Sequence, residues 1–316
     1  MAAAVPIIAK VSTYLANIDH HSCLLLSGQD SRSFLQGQAT CDIDALETSG
    51  SLPGAFCTPQ GRMFADFRVW QLAEDSLVLS LEKSLLEPLQ STLAKYLAFS
   101  KADISAADSQ FVRWALWGDA AGTLLGDSGS EAPTGWEFEG ALVSPSLVSG
   151  AYELLVPTDC VAQLADVLAE TEAADEAAWR FLEITNGVGH VHADTAGLFI
   201  PQMLNYQLTG HVSFSKGCYT GQEVVARMHY RGKVKRPMQY CTIPATDGLA
   251  CPPPGTPLYR PGSEQAVGHV VAAVVNADAL HLLVNLALDA ADSATLGVAG
   301  PTLQQQPLPY TLSEAG

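Results

Sequence analysis

A chain of 316 residues, 48% hydrophobic and only 16% charged, is long enough for two or three well-filled structural units. Its net charge of -17 argues against broad, non-specific nucleic-acid binding, and no run approaches the roughly 20 apolar residues that a membrane-spanning helix needs. Seven cysteines, odd in number and without a C-x-x-C pair, exclude a disulfide framework and a recognisable zinc site.

The amino-terminal residues 1–10 have no basic head before their apolar stretch, and the first nine lack Arg and Lys. That pattern is a poor secretion signal and disfavours a mitochondrial address, so a reducing cytoplasm is expected. Residues 22–27 form a short apolar run closed by Gly28, suited to a buried strand, and Asp30 is placed to cap a helix through Phe34 and Leu35 to Gly37. Residues 64–71 alternate and residues 76–81 follow Glu74-Asp75, predicting a hairpin. Ser84 then heads a helix whose Leu85, Leu86, Leu89, Leu93 and Leu97 recur at helical spacing as a core stripe.

Residues 111–117 predict another strand, and residues 121–150 mix Gly, Ser, Thr and Pro as a connecting region does. After a strand over 152–156, Pro157-Thr158-Asp159 starts a helix carrying Val161, Leu164, Val167 and Leu168. The acidic stretch 170–176 reads as a solvated turn before a helix over 177–184 that Asn186-Gly187 ends. His190-Val191-His192 could set two imidazoles on one face of a strand, but no third ligand follows at suitable spacing, and no metal site is expected. Beyond Pro237, β-rich segments over 238–243, 267–275 and 280–288, separated by Pro/Gly turns, predict a small β-barrel. The expected organisation is an α+β region over 1–236 and a C-terminal β-barrel domain over 237–316.

Reactive, flexible and charged residues concentrate between Lys216 and Arg231. Thiolates are favoured beside cations and at helix amino ends. Cys218 has Lys216 two residues before it and a helix predicted from Gly221, with Thr220 as N-cap; Gly217 and Gly221 would let the backbone bend or approach a ligand closely. Lys216, Arg227, Arg231, Lys233, Lys235 and Arg236 against Glu223 give this segment a net +5 in a chain otherwise at -22, a basic island suited to an anion.

Lys216-Gly217-Cys218-Tyr219-Thr220-Gly221-Gln222-Glu223-Val224-Val225-Ala226-Arg227 resembles the signature of the YgfZ family, relatives of the folate-dependent aminomethyltransferase (T-protein) of the glycine cleavage system. Phe34 to Gln38, Lys95-Tyr96 with Phe99-Ser100-Lys101, Phe199 to Gln202 and Pro307 to Tyr310 resemble that family in order and spacing, so the likeness covers essentially the whole chain. It implies a T-protein-like ring of α+β units around an opening that holds tetrahydrofolate or another folate. It also implies a cytoplasmic protein that supports iron–sulfur enzymes, including one that methylthiolates adenosine in tRNA, through Cys218 as the functional thiol. Tyr219, Gln222, Glu223, Arg227 and Arg231 complete the motif, and Trp179 matches a folate-binding position of the family.

Two positions depart from the pattern. His21 stands where the family has a second folate-contacting Trp, and Thr185 aligns with the Glu by which related aminomethyltransferases hold the pterin, although a hydroxyl cannot supply bidentate carboxylate pairing. The resemblance leaves three activities open: the accessory role just described, a tetrahydrofolate-dependent one-carbon transferase or demethylase, and a hydrolase in which His229 or His211 would orient on Cys218. Direct tRNA contact would fall on residues 227–236.

Overall fold

The computed structural model describes residues 12–127, 135–244 and 250–312. The amino-terminal stretch read above for targeting, and residues 128–134 of the connecting region, lie outside them. The described chain builds three sheets. A five-stranded antiparallel sheet runs in the order Ser51–Cys57, Met63–Ala73, Ser76–Glu82, His21–Ser27, Asp103–Ala106. A six-stranded mixed sheet runs Glu172–Ala173, Thr13–Asn17, Phe111–Gly118, Ala151–Pro157, Ala141–Pro145, Trp136–Phe138, its first pair parallel. A third runs Thr295–Leu296, Pro257–Tyr259, Ala266–Asn276, Ala279–Leu286, Met238–Pro244, Gln304–Gln306.

Four helices position the chemistry: α1 (Ser31–Gln38), α2 (Leu86–Leu97), α3 (Glu176–Thr185) and α4 (Gln222–Arg231). The alternation over 64–71 forms the expected hairpin, with Val69 facing Leu79 and Trp70 facing Val78. In α2, Leu89, Leu93 and Leu97 are the buried residues, one stripe at helical spacing. Asp175 caps α3 by accepting from the Ala178 N–H at 2.8 Å, and Gly187, at φ 69°, ends it in a left-handed turn that favours glycine.

Several local expectations give way to tertiary contacts. Asp30 makes no side-chain cap on α1 and instead accepts from the Lys101 N–H at 2.7 Å, holding the far edge of the sheet. Ser84 sits inside a 3-10 turn and accepts from the Ala193 N–H at 3.3 Å. His190 and His192 lie on no strand. The C-terminal β unit is a sheet with Thr295–Leu296 and Gln304–Gln306 at its two edges, and an isolated bridge from Thr295 to Thr302, not a full ladder, links the first edge to the chain entering the second. Its inner face shares a core with the five-stranded sheet, since Tyr240, Val271 and Leu283 pack in one cluster with Leu24, Phe67 and Leu79.

Arg68 of the first sheet is buried and reaches Ser51 Oγ at 3.1 Å, Ser144 Oγ at 3.3 Å and Glu153 Oε1 at 3.2 Å, the last two on the second sheet. Arg113, also buried, donates to the other oxygen of Glu153, and Ser146 Oγ adds a 3.0 Å bond. Burial opposes ionisation of Glu153, but Arg68 and Arg113 outweigh it and hold its carboxyl below the ordinary value of 4.5. Removing the anion would strand two buried guanidiniums. Glu153→Gln is therefore expected to cost about 3–5 kcal/mol of unfolding free energy, read from a urea titration; a loss within about 0.5 kcal/mol, the usual range of surface changes, would contradict this role.

Candidate functional site

The motif helix begins one residue later than its sequence suggests. Gly221, at φ 86°, is its N-cap, and a Cβ there would come 2.5 Å from the Thr58 carbonyl oxygen, so glycine is required by both conformation and space. Thr220, expected to cap, turns the other way: its N–H donates to Gly37 O at 3.2 Å and its hydroxyl to Gln38 Oε1 at 3.2 Å. Gly217 has open space around it and carries no such constraint.

Lys216 is placed differently from the sequence reading. Its Nζ does not stand free beside the thiol; it is buried and donates to Gln36 O at 2.7 Å, Ala39 O at 2.8 Å and Cys41 O at 2.7 Å. These carbonyls belong to the end of α1 and the turn after it, where helices leave acceptors unpaired and favour a cation. Tyr219 is buried, its ring 5.3 Å from Lys216 Nζ, and burial raises its phenol. Cys218 is exposed between these anchors. Two motifs separated by about 180 positions thus meet, α1 supplying the acceptors and the 216–220 loop the donors.

Phe199 to Gln202 supports the same helix. Gln202 Nε2 donates to Val225 O at 2.7 Å, and Val225 is the buried residue of α4. Gln222 Nε2 reaches back to Gly217 O at 3.4 Å. Glu223, Arg227 and Arg231 are exposed. The basic island is thus a surface of Arg227, Arg231, Lys233 and Lys235, with Lys216 withdrawn from it. His211 is buried and stacks on Tyr206 at 3.9 Å, while His229 stacks on Phe214 at 3.7 Å. Both rings are engaged by aromatic neighbours, and the described hydrogen bonds join neither to Cys218, so the hydrolase arrangement gains no support.

A cavity of about 390 Å³ opens beside Thr220, lined by Gln38, Phe64, Leu85, Tyr96 and Ala193 among others. The sequence reading identified only the buried stripe of α2; Pro88, Thr92 and Tyr96, at i, i+4 and i+8 on another face, were the signal for this groove.

Between the sheets lies a polar cavity of only about 20 Å³, lined by His21, Asp66, Arg68, Arg113, Glu183 and His190 among others. That is room for about one water, which needs about 10–15 Å³. His190 Nδ1 lies 2.7 Å from Asp66 Oδ2 and its Nε2 3.4 Å from Glu183 Oε1, while the Val191 N–H donates to Asp66 Oδ1 at 2.6 Å. Burial would lower His190, but Asp66 and Glu183 raise it well above 6.5; burial would raise Asp66, but His190 and the Val191 N–H bring it below 3.8. A charged imidazolium thus sits between two carboxylates at neutral pH.

Sequence reasoning missed Asp66 and Glu183 because nothing local marks them. Thr185, aligned with the pterin-holding Glu, donates its hydroxyl back to Phe181 O and Leu182 O, whereas Glu183 faces the cavity. His21 also faces it, with Arg113 donating to its Nδ1. Trp179 is 1% exposed and packs on Trp117 at 5.6 Å, outside the cavity lining. Trp179 Nε1, Arg113 Nε and His21 Nε2 are buried and have no hydrogen-bond partner among the described residues.

Two outcomes follow. Lys216→Met is expected to cost about 1–3 kcal/mol through three stranded acceptors and to change the rate at which Cys218 reacts with a disulfide reagent; an unchanged rate and unfolding curve would show that the anchor does not hold the thiol. Burial, the largest cause for each, lowers His20 to about 2 and His211 to about 3 from 6.5, so the stability these neutral rings contribute is present above pH 6.5 and is lost as pH falls towards those values. His211→Gln should flatten the acid limb of a stability–pH curve by up to about 1.4 kcal/mol per pH unit; an unchanged slope would contradict it.

Comparison with models of protein families finds none that matches. The tRNA-modifying protein YgfZ of Yersinia enterocolitica is 33% identical over 312 residues, 95% of this chain and 93% of that protein. The Colwellia psychrerythraea protein of the same name is 36% identical over 233 residues, 71% of this chain and 70% of its relative. In structure, the glycine cleavage system aminomethyltransferase T of Bartonella henselae superposes with a TM-score of 0.71 at 17% identity, covering 95% of this chain and 86% of that one, so the two share a fold. With its motifs converging on one loop and its relatedness extending over nearly the full length, this chain belongs to the YgfZ family.

Proposed function

We propose that this chain is a folate-binding accessory protein that supports the synthesis or repair of iron–sulfur enzymes, and thereby tRNA methylthiolation, through the thiol of Cys218. The observation that carries the proposal is the exposed Cys218 on a loop anchored at Lys216 and at Thr220 to the end of one helix. Such anchoring holds a reactive atom in place without surrounding it, which suits contact with a cluster, a persulfide or a partner's thiol. The named relatives support a role in tRNA modification, and the shared aminomethyltransferase fold supports a folate. The surface of Arg227, Arg231, Lys233 and Lys235 offers a contact for tRNA or an acidic partner. No described helix is long and apolar enough to cross a membrane.

For the folate itself, the lining supplies fitting chemistry: the unpartnered Nε–H of Arg113 would suit a ring acceptor, the Glu183 and Asp66 carboxylates would suit ring donors, and His21 would offer the face of its ring. A space of about 20 Å³ is too small for a pterin, so entry requires the wall to open. His21, from the first sheet, and Trp179, which packs on Trp117 of the second, would then border the ligand. Tetrahydrofolate is expected to bind saturably, with association slower than the about 10⁵–10⁷ M⁻¹s⁻¹ usual for binding without rearrangement. Calorimetry and stopped-flow Trp fluorescence would follow it. Trp179→Ala should weaken binding and Cys218→Ala should leave it intact; no binding at about millimolar ligand would remove folate from the proposal and leave Cys218 alone.

The Asp66–His190 pair favours a second reading, a tetrahydrofolate-dependent one-carbon transferase or demethylase, because it puts a proton-carrying imidazolium and a carboxylate at the cavity. Turnover of a methylamine donor with tetrahydrofolate, lost in Asp66→Asn, would favour that reading. Absence of turnover in a protein that binds folate would exclude it.

A further inference from the structure

Beside the cavity, His20, His21 and Glu82 each bring a ring nitrogen or carboxylate oxygen within 4.8 Å of the others. The backbone explains the convergence. His21 and Glu82 are directly opposite across the antiparallel pair His21–Ser27 and Ser76–Glu82, so their side chains share a face. His20 precedes the strand in a turn closed by the Lys83 N–H donating to its carbonyl at 2.8 Å. A third imidazole comes from the loop after α3, with His192 Nδ1 3.6 Å from Glu82 Oε1. The side chains of His20, Glu82 and His192 are only 11%, 12% and 14% exposed. His20 Nδ1, His21 Nε2 and Glu82 Oε2 are buried with no hydrogen-bond partner among the described residues.

We propose that His20, His21 and Glu82 bind one divalent transition-metal ion, with His192, near Glu82, closing on it as the fourth ligand; zinc is the ion that three imidazoles and one carboxylate fit best. That donor set matches zinc at about 2.0–2.2 Å in tetrahedral coordination, whereas magnesium and calcium prefer oxygen alone. One ligand has a carboxylate beside it, as metal-bound histidines usually have: Glu176 Oε1 lies 2.9 Å from His20 Nδ1, without a hydrogen bond between them, and is held by Arg180 at 2.9 Å. The nearby cations are already matched, Arg180 by Glu176 and Arg113 by Glu153.

Arg113 competes with the ion. Because it donates to His21 Nδ1, the ring proton of the neutral imidazole sits on Nε2. Metal binding replaces that proton at Nε2 and moves it to Nδ1, which breaks the Arg113–His21 hydrogen bond because both atoms then carry N–H, while Arg113 keeps its pairing with Glu153; no electron is transferred. The site stands on this geometry and does not rest on the folate reading.

The test is a calorimetric Zn²⁺ titration of the chelator-stripped full chain, with Co²⁺ absorption reporting the ligands. One ion per chain is expected, with a tetrahedral Co²⁺ spectrum lacking thiolate charge transfer. Glu82→Gln and His192→Gln should each weaken binding by about tenfold or more, and the Cys218→Ser/Cys251→Ser double variant should bind as the parent does. Thermal melts with and without Zn²⁺ guard against misfolding, since a folded parent that binds gains stability with added ion. No stoichiometric uptake by the parent, or uptake lost in the double Cys variant and kept in Glu82→Gln, would overturn the proposal. Tetrahydrofolate titration of Glu82→Gln separates the sites: folate binding kept while zinc is lost leaves both readings standing, and folate binding without zinc in the parent removes only this one.

Discussion

The buried charges between the sheets constrain the rest of the molecule. Arg68, Arg113 and a charged His190 face Glu153, Asp66 and Glu183 where the first and second sheets approach, and each ion pair joins side chains from different elements. Buried ions are tolerated only when paired and fully hydrogen-bonded. The sheets must therefore sit so that Glu153 bridges both guanidiniums and Asp66 takes both His190 and the Val191 N–H. Such a network is a costly way to gain stability, but it selects one arrangement of three sheets over others that would strand a charge.

The Cys218 loop solves a smaller problem by the same physics. A helix end leaves carbonyls unpaired, and α1 would expose several of them to the interior. One ammonium serves three, and in doing so ties residue 216 to residues 36–41. The thiol two residues on is then held by its neighbours' backbone and not by contacts of its own, which leaves its surface for a partner. Lys216 acts on Cys218 by position.

The cavity and the loop share elements. The strand Met63–Ala73 carries Asp66 and Arg68 towards the network, and its Phe64 lines the groove beside Thr220. Glu183 of α3 and His190, just beyond it, face the cavity, while the chain after them runs through Phe199 to Gln202 to the helix that follows Cys218. The cavity and the motif are thus joined through elements that contact both.

From the sequence alone, much was legible wherever one residue type has one local consequence. Periodicity placed the hairpin over 64–81 and the stripe of α2, Asn186-Gly187 ended α3, and the Lys216 to Arg227 motif identified the family and singled out Cys218. What local pattern could not supply was the partner of each polar group. Asp30 and Ser84 stand at helix starts yet satisfy other segments, Lys216 reads as a companion to Cys218 yet serves a helix about 180 residues away, and His190 and His192 read as a pair yet divide between Asp66 and Glu82. A side chain's preference for a cap, a cation or a metal is set by its own chemistry, and that is written in the sequence. Which unpaired group lies within about 3 Å of it is decided only when distant strands close, because desolvation makes each buried donor and acceptor find whatever partner the fold brings near.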